Sequence, residues 1–317
     1  MRWPGTILRE AGILSMNQRN ADYIMLNNKR RLYPLVDDKL KTKELAQQAG
    51  IAVPELYGVV KTEHAIGDLE DLLGEHRSFV VKPAHGSGGN GILVITDRRQ
   101  NRYVKASGSM MSADDLNHHI SNILSGMFSL GGMPDHAMVE YCVQFDPIFE
   151  DVAFQGVPDI RTIVFRGVPV ASMVRLPTRA SDGKANLHQG AVGAGIDMAT
   201  GLTQSGVCQN ARVTTHPDTG APLAGISIPG WDKLLLLAAR CYDLAALGYL
   251  GVDVVLDREH GPLVLELNAR PGLSIQLANR RGLLPALKAI ERMKTIPTSA
   301  DERVALGLDL LVRHAPS

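Results

Sequence analysis

Cysteine is scarce: Cys142, Cys208 and Cys241 stand far apart in 317 residues, with no CxxC among them. That excludes a disulfide framework and a zinc knuckle and points to a reducing, cytoplasmic compartment. Charge of one sign is missing as well, since 33 Lys and Arg balance 33 Asp and Glu. Without a global field, neither nucleic acid nor anionic membrane is expected as the main partner, and any basic site must be local. Apolar runs such as LLLLAA at 234–239 fall far short of the roughly 20 residues that cross a bilayer. The N-terminus has no apolar stretch leading to a small-residue cleavage site. No GxSxG elbow and no activating pattern around the cysteines suggest a nucleophilic triad. Neither an internal repeat nor a low-complexity tract is present.

What is present is ordinary soluble-protein material, 45% hydrophobic and 21% charged, enough for two domains or for one fold of two or three lobes. Residues 1–36 lack a clean period and read as an amphipathic helix followed by a loop ending at Pro34. The stretch DDKLKTKELAQQAG predicts a helix with Asp at its N-cap and Gly50 closing it in the left-handed conformation. A strand at IAVPELYGVV, a polar helix near 64–75, and a hairpin of SFVVK and GILVI around a glycine cluster follow. Ser112 and Asp115 form a capping-box pattern for a helix to about 125. His118 and His119 on it make no metal spacing and read as surface residues. AMVEY at 137–141 is the next strand. DIRTIVFR and PVASMVRL form a second hairpin, and the polar segment after it is too long for a simple turn. A helix at 232–247, closed by Gly248, leads to the hairpin GVDVVLD, REHG, PLVLELN. Two short helices near 283–293 and 301–313 complete the chain.

Three constellations carry chemistry. In VVKPAHGSGGNGILVI, Gly86, Gly88, Gly89 and Gly91 lie between strands and Lys82 ends the first strand. Glycines let backbone amides approach phosphate oxygens. The loop lacks the Gly-Lys-Ser/Thr of a Walker A motif, and a strand rather than a helix follows, so it is either a phosphate loop of another kind or a flexible turn. In the last hairpin, closure of the REHG turn by Asp257 and Pro262 places Asp253 directly across from Glu266, with Asn268 on the same face. Close, buried, unpaired carboxylates would repel, so a divalent cation is the natural companion, and oxygen donors this few favour Mg²⁺ shared with phosphates. Arg270 either serves a phosphate or pairs with an acid. Finally, Arg161 and Arg175 sit among apolar residues, where a bare guanidinium is costly, so a cleft and an anion are expected beside them, with Asn186 and His188 in the polar segment nearby.

Taken in order, DDKLKTKELAQQAGIAVPE, VVKPAHGSGGNGI, MVEYCV, DIRTIVFRGVPVASMVR, ANLHQGA and GVDVV followed by LELNARPGL resemble the ATP-grasp superfamily, most closely its RimK-type glutamate ligases and alpha-L-glutamate-ligase-like proteins. The resemblance implies an α+β fold of two lobes gripping ATP, with a shortened N-terminal region. It implies that Lys39 and Lys82 contact ATP phosphates under a lid of residues 86–91, with His85 and Ser87 beside the glycines. It further implies that the backbone of Glu140, Tyr141, Cys142 and Val143 reads adenine, and that Asp253, Glu266 and Asn268 hold Mg²⁺, or Mn²⁺ in its place. Arg175 would stabilise phosphoryl transfer together with Lys82 and Arg161, and Arg161, Asn186, His188 and Arg270 would line the acceptor cleft. Asp146, Glu150 and Asp151 are alternatives for the ribose.

The implied organisation is a helical segment at 1–36, the start of the fold at 37–75, a small lobe with the lid at 76–143, a large lobe at 144–295 and a C-terminal helix at 296–317. The implied reaction joins a small-molecule or peptide carboxylate to an amine through an acylphosphate. A sugar-transfer-associated ATP-grasp enzyme and a non-catalytic ATP-binding module are the alternatives. Family members commonly carry a full Rossmann-like domain before the first lysine. Only 38 residues precede Lys39 here, so a partner protein or a homodimer completing the pocket is also expected.

Overall fold

Hairpin connections dominate the second half of the sequence, and antiparallel pairing is their result. The computed structural model describes residues 4–86, 88–99 and 102–313. It divides into two units: one of 1–37, 44–52 and 145–317, the other of 38–43 and 53–144. Both are mixed α+β and each is built on one antiparallel sheet.

The unit of 38–43 and 53–144 holds β1 (Leu56–Val60), β2 (Phe79–Pro83), β3 (Leu93–Arg99), β4 (Arg102–Lys105), β5 (Met110–Ser112) and β6 (Ala137–Glu140). Their order is β1-β6-β2-β3-β4-β5. Helix Ala113–Leu124 is opened by the capping box read from sequence: Ser112 Oγ accepts from Asp115 N–H, and the Asp115 carboxylate accepts from Ser112 N–H. Its Leu116, Ile120 and Ile123 bury against Phe79, Val81 and Val139, which fixes β2 and β6 in place.

In the other unit, β7 (Asp159–Phe165), β8 (Val168–Leu176), β9 (Val192–Ile196), β10 (Thr203–Cys208), β11 (Ala211–Val213), β12 (Tyr249–Asp257) and β13 (Gly261–Asn268) run in the order β11-β10-β9-β8-β7-β12-β13. Helices Trp231–Ala245 and Ala300–Arg313 pack on the central strands. They are tied together by Arg303, which donates to both carboxylate oxygens of Asp243 at 2.8 and 2.5 Å. Tyr23 joins the core edge-on to Phe165 at 5.4 Å.

Several expectations are corrected. Residues 4–27 form a helix, Pro4–Glu10, and a second continuous helical stretch from Met16 to Asn27 whose middle, Arg19–Ile24, is π-helical, and Pro34 begins a turn of helix, Pro34–Asp37, instead of ending a loop. Helix Trp231–Ala245 closes on Ala246 at φ 50°, not on Gly248. Gly248 is needed for another reason, since a Cβ there would lie 2.7 Å from Asn27 Cβ. The polar segment after β8 contains β9, unforeseen in sequence. The strand near 51–60 is confined to β1.

Candidate active site

Lys82 lies on β2 two residues from Val80, which pairs with Glu140 across β6, so Lys82 and Glu140 are diagonal neighbours on one face. The Lys82 ammonium stands 2.5 Å from Glu140 Oε1. Helix Lys39–Gln48 starts with Asp38 accepting from Lys41 N–H at 3.1 Å and ends near Gly50 at φ 62°, as its sequence predicts. Lys39 and Lys43 stand four positions apart, which puts both on one helix face. Lys43, not foreseen as a site residue, places its ammonium 2.7 Å from Glu140 Oε2 and donates to the Pro54 carbonyl. Lys39 donates to the Gly86 carbonyl. Glu140 is 2% exposed. Burial alone would raise its pKa, but the lysines outweigh it and hold the carboxyl below the usual carboxylate range. Tyr141 N–H donates to Glu55 O at 2.8 Å, and Cys142 O accepts from Gln144 Nε2 at 3.1 Å.

The glycine loop is pinned at both ends. His85 donates its backbone N–H to Asp135 Oδ2 at 3.0 Å, and its ring Nδ1 lies 2.7 Å from Asp135 Oδ1, with Asp38 Oδ2 3.6 Å from the far ring nitrogen. Asp135, which sequence reasoning missed, also accepts from His136 N–H at 2.7 Å. Gly86 bridges to Ser129, and a Cβ on it would lie 2.3 Å from Pro83 Cγ. Gly88, Gly89 and Gly91 adopt positive φ, and at Gly91 a Cβ would also meet the Phe128 ring at 2.6 Å. His119 is not a surface residue. Its half-buried ring bonds the Gly91 carbonyl at 3.0 Å and lies 5.6 Å from the Phe128 ring, and burial lowers its pKa. Ser87 lies outside the described residues.

In the other unit, Asp253 on β12 pairs with Arg161 on β7 and with Glu266 on β13. The Glu266 pairing is the one read from sequence, but it arises differently. The turn closes on Asp257 and Gly261, and a bulge at Leu265 restores the register. Arg161 donates Nε and an Nη to the two oxygens of Asp253 at 2.7 and 2.5 Å. Arg175 donates to Asp253 at 2.7 Å and grips Asp159, the residue paired with it across β7 and β8. Asn268 donates its amide to Asp253 Oδ2 at 3.1 Å. Asp253 is 1% exposed. Burial would raise its pKa, yet Arg161 and Arg175 prevail and hold it low. Asp159 is pushed up to about 6, first by burial, against Arg175 and with Asp253 adding to the rise. Burial works against the charge on Arg175, but Asp159 and Asp253 keep it firmly protonated.

This arrangement corrects one step of the sequence argument: Asp253 does not need a metal to remain ionised, because two arginines already do that work. Asp253, Glu266 and Asn268 carry hard oxygen donors of the kind Mg²⁺ takes, although among the described residues no three His, Cys, Asp or Glu side chains are gathered for a metal and Asn268 turns its amide N–H to Asp253. Asn186 accepts from His188 N–H at 3.0 Å and caps the turn Leu187–Gln189, while the His188 side chain is exposed. Leu187 lies over Gly193, which pairs with Arg175, so this turn sits on the strand next to the arginine. The exposed Arg270 stacks its guanidinium over Tyr33 at 5.1 Å rather than pairing with an acid there. A cavity of about 300 Å³ in the same unit is lined by Ala171, Asp197, Asn279, Arg281 and Leu311, away from these residues.

A family model described as sugar-transfer associated ATP-grasp matches residues 18–292. The chain is an ATP-grasp protein of that family. This ATP-grasp chain is 25% identical over 236 residues to a probable alpha-L-glutamate ligase of Maridesulfovibrio salexigens, covering 74% of this chain and 56% of the relative. It is 28% identical to the Escherichia coli ribosomal protein bS6--L-glutamate ligase with the same coverage. The chain thus spans about half the length of these curated relatives. Among solved structures it is similar to the ATP-grasp ligase PsnB complexed with minimal precursor, at TM-score 0.45 and 15% identity over 84% of this chain and 63% of that one. It is also similar to D-alanine--D-alanine ligase from Bacillus anthracis complexed with ATP, at 0.44 and 15% over 89% and 68%. Among the described residues, no helix of this ATP-grasp chain is long and apolar enough to cross a membrane.

Proposed function

We propose that the chain is a Mg·ATP-dependent carboxylate-amine ligase. The γ-phosphoryl group of ATP passes to a carboxylate, giving an acylphosphate and ADP. An amine then attacks the acyl carbon, phosphate leaves, and the proton shed by nitrogen goes to phosphate or solvent. The observation that carries this reading is the direct pairing of Asp253 with Glu266, two acids on adjacent strands beside Arg161 and Arg175.

Roles follow from chemistry. Lys39, Lys82 and the loop from His85 to Gly91 are assigned to the phosphates, where ammonium groups and backbone amides meet anionic oxygens. The base is assigned to the backbone after Glu140, in the stretch of Tyr141, Cys142 and Val143. Tyr141 N–H is already committed to Glu55, which favours the positions beyond it. Asp253, Glu266 and Asn268 would hold Mg²⁺. When bound there, the ion neutralises phosphate charge during transfer. Mn²⁺ accepts the same donors and is expected to substitute. Arg175 is assigned to the transferring phosphoryl group. Arg161, bidentate on Asp253, is assigned to orient that carboxylate, while Asn186, His188 and Arg270 are assigned to the acceptor.

The names of the relatives make glutamate the first amine to try. The family description favours a second reading, the same ligation performed on a polysaccharide precursor; product mass separates the two. The mechanism is tested by ADP formation from Mg·ATP in folded wild type, Lys82→Ala and Glu266→Ala. Loss in both variants is expected, and retained turnover in both contradicts the assignment.

A further inference from the structure

Two ammonium groups and one carboxylate are buried together in the unit of 38–43 and 53–144. Lys43, Lys82 and Glu140 are 5%, 4% and 2% exposed. Glu140 receives Lys82 on Oε1 at 2.5 Å and Lys43 on Oε2 at 2.7 Å. One positive charge exceeds what the carboxylate can neutralise, and a buried surplus charge is costly unless an anion comes to meet it.

The two lysines are held differently. Lys43 is fixed on a helix and anchored by both the Pro54 carbonyl and Glu140. Lys82 projects from the strand that leads into the glycine loop. We infer that Lys43 is a positioning residue for nucleotide binding: it keeps Glu140 neutralised so that the Lys82 ammonium is free to turn to a phosphate. Without Lys43, moving Lys82 towards an anion would strand a bare carboxylate in the interior. Lys82 would then stay clamped on Glu140. Lys43 therefore acts through Glu140, never touching the phosphate, and its effect is confined to ligands that carry one. Burial lowers the pKa of Lys43, and Glu140 offsets part of that fall.

This inference rests on the reading of this unit as nucleotide-binding, and the test separates the two. Titration calorimetry of the full chain with Mg·AMP-PNP and with adenosine is carried out on wild type, Lys43→Met, Glu140→Gln and the double variant. Lys43→Met should weaken AMP-PNP binding about tenfold or more, the scale set by an unpaired buried charge, and leave adenosine within about twofold. In the Glu140→Gln background the same substitution should change AMP-PNP affinity by less than about threefold, because its intermediary is gone.

Equal losses in both backgrounds, or a matching loss for adenosine, would overturn the inference. If Lys43→Met alone does not fold, the comparison of Glu140→Gln with the double variant carries the test, since both lack the buried carboxylate charge. A loss of about tenfold there overturns the inference, and little change supports it. Absence of AMP-PNP binding in wild type would instead overturn the nucleotide reading, and this inference with it.

Discussion

Asp253 and Glu266 face each other across β12 and β13 because a single extra residue, Leu265, is bulged out between them and the turn. Without the bulge, Asp253 would pair with a leucine. The two acids nevertheless differ in surroundings: Asp253 is buried under two arginines, while Glu266 is half-buried. Asp253→Asn takes from Arg161 the carboxylate it grips and leaves Arg175 with Asp159, and should lower stability by about 3 kcal/mol or more, whereas Glu266→Gln should stay within about 1 kcal/mol. Urea unfolding of the two variants checks the difference.

Metal binding should separate the same residues in another way. Millimolar Mg²⁺ is expected to raise the Tm of the wild type, as any ligand selective for the folded state does. Glu266→Gln should abolish that rise while starting from a nearly native Tm without metal. A rise of equal size in the variant would remove Glu266 from the metal set.

Acid should act on Glu140. Its folded pKa lies below the ordinary value because Lys82 and Lys43 outweigh burial. A depressed carboxylate contributes stability that is fully present above its unfolded pKa, near 4.3, and is lost as pH falls through the folded value. Wild type should therefore lose stability below about pH 4 more steeply than Glu140→Gln. Denaturant midpoints taken from pH 7 downward test the sign.

Gly91→Ala combines a left-handed backbone with a collision, because the new Cβ would meet the Phe128 ring at 2.6 Å. The backbone part alone should cost about 1–2 kcal/mol. The shift of Phe128 should loosen the His119 contact to the Gly91 carbonyl. A higher KM for ATP with a smaller change in kcat is expected from steady-state kinetics.

Where a local rule governs, the sequence was legible. Ser112 and Asp115 cap their helix, and Asp38 and Gly50 bound theirs, whereas the pairing of Asp253 with Glu266 was inferred from closure of the turn by Asp257 and Pro262, which the structure replaces with Asp257 and Gly261. The bulge at Leu265 and the shorter turn compensate for each other, so that pairing was reached through a register the structure does not use. Strand β9 escaped because Gly193 and Gly195 erase its strand preference. The glycines are there for close approach: a Cβ at 195 would lie 2.6 Å from the Ala278 carbonyl. Lys43 and Asp135 were missed because their partners Glu140 and His85 come from distant segments, and Asp159 because a bulge between Ile163 and Val164 sets its pairing with Arg175 in the hairpin. Only the four-residue spacing of Lys39 and Lys43, and the position of Asp159 in the DIR motif, hinted at two of them.

The most direct test of the ligase account is release of ADP and phosphate from Mg·ATP by the full chain with pooled amino acids, alone and with cell extract, followed by mass spectrometry. Turnover that depends on an amino acid, with a product heavier by one residue, is the predicted result. Tight ATP binding with no turnover in any acceptor mixture would contradict it.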